Sequence, residues 1–426
     1  MNTNSTASWI HRAPPFFLLS LWIFMLAGQP AAEPAPRVEW TTQTGARVYS
    51  SPVVAELAET PGLEILLTSS DDRSVSCFSA SQKVLWTYDD FTLRLSSTPT
   101  VADLDKDGKL EILITTRQEG VTCLNADGSL RWKVPVKSDI AWGSAAVADV
   151  DNDGTLEICW AALSGLVECH APDGSKKWDF TMPSSGSYAA PAVGDVNADG
   201  FAEVITCDSS AVFCLDYKGQ EQWRFQGMAT FNAGPVIAHI RDDTPYDILA
   251  LSSDGVLWCL DSKTGNALWN HRTFRIRTDT TIAVADIDGD NRNEIFYGDG
   301  LGNLYCIAGG GRERWSFQAM DWIESAPAIG DVDGDDQMEV LLCSADGNLY
   351  CLSAKGETEW TFSTGKRIGA SPTLCDYDLD NKTEILFPSH NGLLYCLTFD
   401  AEWNPKKMPW PFRRYDFQHT AFVPTR

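Results

Sequence analysis

Carboxylates dominate the chemistry this chain could perform. Its 426 residues include 58 Asp or Glu against 33 Lys or Arg, a formal net charge of -25. Many of the acids recur in one pattern, D-x-[DN]-x-D-[GND]-x-x-E. The six copies are Asp103, Asp105, Asp107 and Glu111; Asp149, Asp151, Asp153 and Glu157; Asp195, Asn197, Asp199 and Glu203; Asp286, Asp288, Asp290 and Glu294; Asp331, Asp333, Asp335 and Glu339; and Asp376, Asp378, Asp380 and Glu384. Alternating acids on a tight loop aim their oxygens at one centre. Calcium takes about 6–8 hard oxygen ligands, so three side chains, a carbonyl and a closing carboxylate suit it. Position six is Gly108, Gly154, Gly200, Asn291, Asp336 or Asn381, residue types that accept left-handed backbone. The closing acid comes at position nine, not twelve, which separates these loops from EF-hands. About six calcium sites are expected. Solvated turns capped by Asp and Asn are the plainer alternative, but turn-making alone does not require four acids facing inward.

Two sibling segments have lost the set. One keeps Glu56 and Glu59 at positions one and four, with Glu64 at nine. The other reads His239-Ile240-Arg241-Asp242-Asp243, with Asp247 at nine. An arginine inside the cage should exclude calcium. The six His residues show no H-E-x-x-H or other metal spacing, and there is no G-x-S-x-G elbow, phosphate-cradling Gly loop or zinc-type Cys pairing. The acidic balance argues against nucleic acid and against anionic lipid headgroups as partners.

The elements that must position these acids follow from an internal repeat. Trp40, Trp86, Trp132, Trp178, Trp223, Trp269, Trp315 and Trp360 are spaced by 45 or 46 residues, and Cys77, Cys123, Cys169, Cys214, Cys259, Cys306, Cys351 and Cys396 keep the same register. The unit from Trp315 reads as a strand on WSF, a loop, a small-residue strand APAIGDV, the acidic loop, a strand EVLLC, a turn, and a strand NLYCL. Four short strands per repeat of roughly 40–50 residues make one blade of a β-propeller. The expected fold is all-β, an eight-bladed β-propeller over residues 38–403, closed by the N-terminal strand at Trp40, with a C-terminal tail at 404–426. The recurrent cysteines read as small buried apolar fillers, and hairpin disulfides such as Cys207–Cys214 are not favoured.

Two stretches of each unit carry a family resemblance. STPTVADLDKDGKLEI and SAPAIGDVDGDDQMEV resemble FG-GAP/VCBS repeats. CLNADGSLRW and CLDSKTGNALW resemble the tryptophan repeats of pyrroloquinoline-quinone-type propellers, and WPFRRYDFQHTAF resembles a tail appended to such proteins. The resemblance covers 38–426 and implies calcium in the loops and an eight-bladed ring. It also raises an enzyme alternative, a quinone-dependent dehydrogenase or polysaccharide-active enzyme using pyrroloquinoline quinone or the channel mouth. The absence of adjacent cysteines and of C-x-x-C-H does not favour that cofactor. A second alternative is a scaffold of outer-membrane assembly, similar to the barrel-assembly propeller lipoproteins. No lipidation Cys follows the N-terminal apolar run.

Residues 16–27 form that run, with Arg12 before it and small residues and prolines after it. It is shorter than the roughly 20 residues a bilayer span needs, so 1–32 reads as a signal peptide cleaved within 28–35. The chain is expected to be exported, periplasmic or secreted, and monomeric, with no transmembrane segment.

Strand direction assigns the loops to rims. Acidic loops share one rim, and the loops after each Trp share the other, around the mouth of the central channel. In register these post-Trp loops carry Arg47, Arg94, Arg277, Arg367 and Trp322, and then Tyr49, Trp142 and Tyr188. Arginines with aromatics suit an anionic or sugar-like ligand, and pairing with neighbouring acids is the structural alternative. The sequence reads as a calcium-binding, non-catalytic binding or scaffolding module with a protein or carbohydrate ligand at the channel mouth.

Overall fold

The computed structural model describes residues 35–419 apart from 46, 96, 117–119, 136–142, 187, 242–243, 274–279, 415 and 417–418. The expected signal peptide lies outside the described residues.

Eight four-stranded antiparallel sheets make eight blades. Each innermost strand is only three residues long and rich in small or β-branched side chains, as in Val53–Ala55, Ala146–Ala148 and Ala328–Gly330. The axis of the ring leaves room for little more. The second and third strands are buried on both faces: Glu111–Thr116 and Gly120–Leu124 have no exposed residue. The outermost strands, such as Glu313–Gln318, alternate between exposed and half-buried positions.

The eighth blade combines Thr373–Cys375, Lys382–Ser389 and Leu393–Glu402 with the N-terminal strand Arg37–Gln43, which pairs antiparallel with Leu393–Glu402. Between the eighth and first blades, Ser371 N–H donates to Ser51 Oγ at 3.1 Å and Thr373 Oγ1 donates to the Pro52 carbonyl at 2.7 Å. The eighth sheet is thereby completed to four strands like the other seven.

The two repeat markers are cross-strand partners. Cys123 faces Trp132, Cys214 faces Trp223, Cys306 faces Trp315, and Cys396 faces Trp40. All twelve cysteines are buried free thiols, as a filler role requires. Cys207 lies opposite Val212, not Cys214, while Cys159 lies directly opposite Cys169. Each Trp then reaches into the next blade. In six of the eight the indole packs on a turn glycine held at positive φ: a Cβ at Gly128, Gly219 or Gly265 would sit 2.5 Å from the ring of Trp86, Trp178 or Trp223. The indole Nε1–H donates to a carbonyl of the same turn, from Trp86 to Ala126 at 3.0 Å and from Trp223 to Ser262 at 2.9 Å.

The C-terminal segment belongs to the core of the ring. Ile329 and Trp410 exchange backbone hydrogen bonds, and Leu374 N–H donates to the Pro411 carbonyl. These groups lie on the channel-facing edges of two innermost strands. Trp410 is fully buried. Arg414 then crosses to the fourth blade, donating to the carbonyls of Ala190 at 3.2 Å and Pro191 at 2.5 Å. Burial and the neighbouring Arg413 pull its guanidinium down to about 9, so it remains charged near neutrality, answered by carbonyl dipoles. The tail fills the channel between opposite blades.

Gly265→Ala tests the inter-blade contact. A left-handed non-glycine residue costs roughly 1–2 kcal/mol, and the Trp223 contact adds to it. A melting point clearly below wild type is expected; an unchanged one contradicts the packing described.

Candidate functional site

The six acidic loops share one backbone solution. Positions four and six are both left-handed: Lys106 and Gly108, Asn152 and Gly154, Ala198 and Gly200, Gly289 and Asn291, Gly334 and Asp336, Leu379 and Asn381. The sequence pattern identifies position six alone. Lys106, Ala198 and Leu379 accept a conformation unfavourable to them, a sign that the surrounding loop enforces it. Position one supplies part of that force. Asp103 accepts N–H bonds from Asp107 and Gly108, and Asp195 from Asp199 and Gly200. Position five caps the exit, as Asp107 does for Lys109 N–H at 2.8 Å. Turn capping is therefore present, and it leaves other carboxylate oxygens facing one another.

Position nine is the first residue of the second strand in seven blades and the third in the eighth, and it is buried in all eight. Glu64, Glu111, Glu157, Glu203, Asp247, Glu294, Glu339 and Glu384 are 0–2% exposed. In seven of them one carboxylate oxygen accepts the N–H of position two: Leu57, Leu104, Val150, Val196, Ile287, Val332 or Tyr377, at 2.7–3.2 Å. In five of the six loops, three acids place oxygens within 4.8 Å of one another: Asp103, Asp105 and Glu111; Asp149, Asp151 and Glu157; Asp286, Asp288 and Asp290; Asp331, Asp333 and Glu339; Asp376, Asp378 and Glu384.

What answers the buried charge divides the blades. In three, a basic side chain immediately before the marker Trp bridges positions three and nine. Arg131 contacts Asp105 and Glu111, Lys177 contacts Asp151 and Glu157 at 2.7 Å each, and Arg314 contacts Asp288 and Glu294. In the fifth blade the cation is built into the loop. Arg241 Nε and Nη2 donate to the fully buried Asp247 at 2.9–3.2 Å, which explains why that loop has lost the acidic set. In the first blade two N–H groups and the Thr60 hydroxyl hold Glu64.

Glu203, Glu339 and Glu384 have no Lys or Arg partner among the described residues. The residue before the corresponding Trp is Gln222, Glu359 or Glu39. Besides the Val196 N–H, Glu203 accepts the Asn197 amide, at 2.8 Å. Burial, reinforced by the loop carboxylates, pushes Glu203 up to about 7 and Glu339 and Glu384 up to about 9. Asp376 Oδ1 is shielded from solvent with no hydrogen-bond partner. An all-oxygen donor set, clustered acids and an orphaned carboxylate oxygen fit a hard divalent cation. Two lysines touch acids of these loops, Lys407 the buried Asp331 and the exposed Asp336, and Lys382 Asp380.

On the opposite rim the structure brings together part of the predicted ligand set. Arg47 and Arg94 share one carboxylate, Asp71, at 3.6 and 3.3 Å, and Arg367 pairs with Glu324. Tyr49 stands edge-on to His390 with ring centres 4.8 Å apart. Burial, with Arg367 and Arg47 nearby, lowers the His390 pKa. Tyr188 and Trp322 are exposed. Arg277 and Trp142 lie outside the described residues. The channel beneath this rim is not the open cavity the sequence reading assumed, because the tail enters it.

An FG-GAP-like repeat model matches residues 103–160, and a model of the lambda-carrageenase beta-propeller domain matches residues 325–371. Comparison with curated protein sequences finds no match. Among solved structures the fold is similar to BamB from Moraxella catarrhalis, with TM-score 0.59 and 16% identity over 86% of this chain and 100% of that one. It is similar to Saccharomyces cerevisiae Sqt1, with TM-score 0.63 and 13% identity over 85% and 97%. It is also similar to quinohemoprotein alcohol dehydrogenase from Comamonas testosteroni, with TM-score 0.60 and 11% identity over 87% and 77%. These likenesses establish the fold. No helix among the described residues is long and apolar enough to cross a membrane.

The Arg241–Asp247 pair gives a direct test of charge compensation. Arg241→Met strands a buried carboxylate and should destabilise the ring by about 3–5 kcal/mol. Adding Asp247→Leu should recover much of that loss in denaturant titration. Equal stability of wild type and the single variant would contradict the pairing.

Proposed function

We propose that this protein is an exported, calcium-stabilised β-propeller that acts as a non-catalytic binding platform, its ligand a protein or a carbohydrate. The observation that carries the reading is the tail inside the channel. With Trp410 and Arg414 buried there, the rims become the surfaces available to a partner. On the rim opposite the acidic loops, Arg47, Arg94 and Arg367 pair with Asp71 and Glu324, near Tyr49 and His390. Guanidinium groups with aromatic neighbours suit an anionic or sugar-like ligand. The match to a lambda-carrageenase propeller domain, polysaccharide-active by its name, supports a carbohydrate.

Calcium would be held by Asp195, Asn197, Asp199 and Glu203, by Asp331, Asp333, Asp335 and Glu339, and by Asp376, Asp378, Asp380 and Glu384. It would supply the positive charge that Glu203, Glu339 and Glu384 lack among the described residues. The loops closed by Glu111, Glu157 and Glu294 already hold their own cation. All six sequence-predicted loops fold alike, and the three without a basic bridge are assigned the metal.

Two outcomes are expected. Calcium should raise the melting point of chelator-treated protein, because an ion that binds only the folded state stabilises it. That gain should shrink in Glu339→Gln/Glu384→Gln and persist in Glu111→Gln; identical melts with and without calcium would refute the metal reading. Arg47→Ala/Arg94→Ala/Arg367→Ala should abolish retention on immobilised sulfated polysaccharide that the wild type shows. Unchanged retention would refute the rim assignment.

A further inference from the structure

A basic pocket lies on the rim that is otherwise acidic, where the fifth and sixth blades meet. Four arginines line it, Arg241, Arg292, Arg312 and Arg314, together with Trp269 and Asp290, around a cavity of about 440 Å³. Its charged lining residues are these four arginines with Asp290 and Glu294, while Asp247 and Asp288, behind the lining, pair with Arg241 and Arg314.

The cavity follows from a departure in the repeat. The indole N–H of Trp86, Trp132, Trp223 and Trp315 donates to a carbonyl in the next blade's turn, that of Trp40 donates to the Tyr377 hydroxyl, and that of Trp178 is shielded without a partner. Trp269 Nε1 is shielded from solvent and has no such partner. The turn beneath it is Ala308-Gly309-Gly310-Gly311-Arg312, and a Cβ at Gly309 would lie 2.6 Å from the Ile240 carbonyl. Three glycines give this turn no side chains to fill the space, and the turn leans towards the loop that carries Arg241. Arg241 and Arg314 are committed to Asp247 and to Asp288 and Glu294. Arg312 is exposed and has no ion-pair partner among the described residues.

We propose that this pocket binds a sugar carrying a sulfate or phosphate group. The guanidinium of Arg312 takes the oxyanion, a geometry Arg favours because its planar fork matches two oxygens at once, and Arg292 adds positive charge to the same wall. Asp290, whose Oδ1 already accepts the Arg292 N–H at 2.9 Å, offers its remaining oxygen to a sugar hydroxyl. The indole edge of Trp269 and the glycine turn accept the ring's C–H face. The cavity is larger than a bare oxyanion, which is why the group is assigned to an organic carrier. None of these residues belongs to the three loops assigned calcium or to the arginine cluster on the opposite rim.

Isothermal titration of the full chain with glucose 6-sulfate, glucose 6-phosphate and glucose tests the assignment. Wild type should bind at least one charged sugar and not glucose, and the tighter of the two identifies the oxyanion. Arg292→Gln/Arg312→Gln should weaken that binding by about tenfold or more, as loss of charge-assisted hydrogen bonds implies. Arg47→Ala/Arg94→Ala/Arg367→Ala should leave it unchanged. Both arginines of the pocket pair are exposed, so the double variant should melt as wild type does. Failure of both charged sugars to bind, or equal binding by the pocket variant, overturns the proposal.

Discussion

Every blade of this ring buries one carboxylate at the start of its second strand, within the first three residues, and the chemistry of each acidic loop follows from how that charge is answered. The acid is first a structural device. One oxygen ties down the N–H of position two and sets the loop's path. The other oxygen remains, and a buried charge left unpaired is strongly unfavourable. The chain answers it in several ways on one scaffold. A strand residue supplies a cation in three blades, the loop itself supplies Arg241 in another, and hydroxyl or amide groups serve elsewhere, down to a single Thr398 hydroxyl at 3.5 Å on Glu384. The eight-fold repetition makes each blade a control for the others.

The ring around these acids is held by contacts that cross blade boundaries. The indole on the turn glycine, with its N–H on a turn carbonyl, joins the outer edges of neighbours. Ser and Thr hydroxyls such as Thr100 to the Ala145 carbonyl join the inner edges. The N-terminal strand and the C-terminal tail then remove the two weaknesses of a closed ring. One completes the eighth sheet, and the other packs the axis. Lys407 links the two systems, since it lies in the tail and contacts Asp331 of a candidate calcium loop.

The fold was legible from the sequence because the periodicity is carried by residues with a geometric reason to recur. Trp and Cys are cross-strand partners, so both markers keep one register. The acidic loops and the closure by the strand at Trp40 were legible for the same reason. The division among the loops was harder to see. It depends on the side chain just before each Trp, Arg131, Lys177 or Arg314 against Gln222, Glu359 or Glu39, which is distant in sequence from the loop it serves. That signal is present in the repeat once the blade is folded. The tail's course was not legible, because Trp410 and Arg414 find partners on the seventh, eighth and fourth blades, contacts that no periodicity encodes. The pocket at Trp269 was hidden for a related reason: it arises where two irregular turns meet.

The central claim is that charge compensation decides which loops take calcium. The most direct measurement is a crystal structure grown in calcium, with anomalous difference density used to locate the ions. Density is predicted in the loops 195–203, 331–339 and 376–384, with Arg131, Lys177 and Arg314 still seated on Glu111, Glu157 and Glu294. Ions displacing those three basic side chains, or no ion near Glu339 and Glu384, would contradict the account.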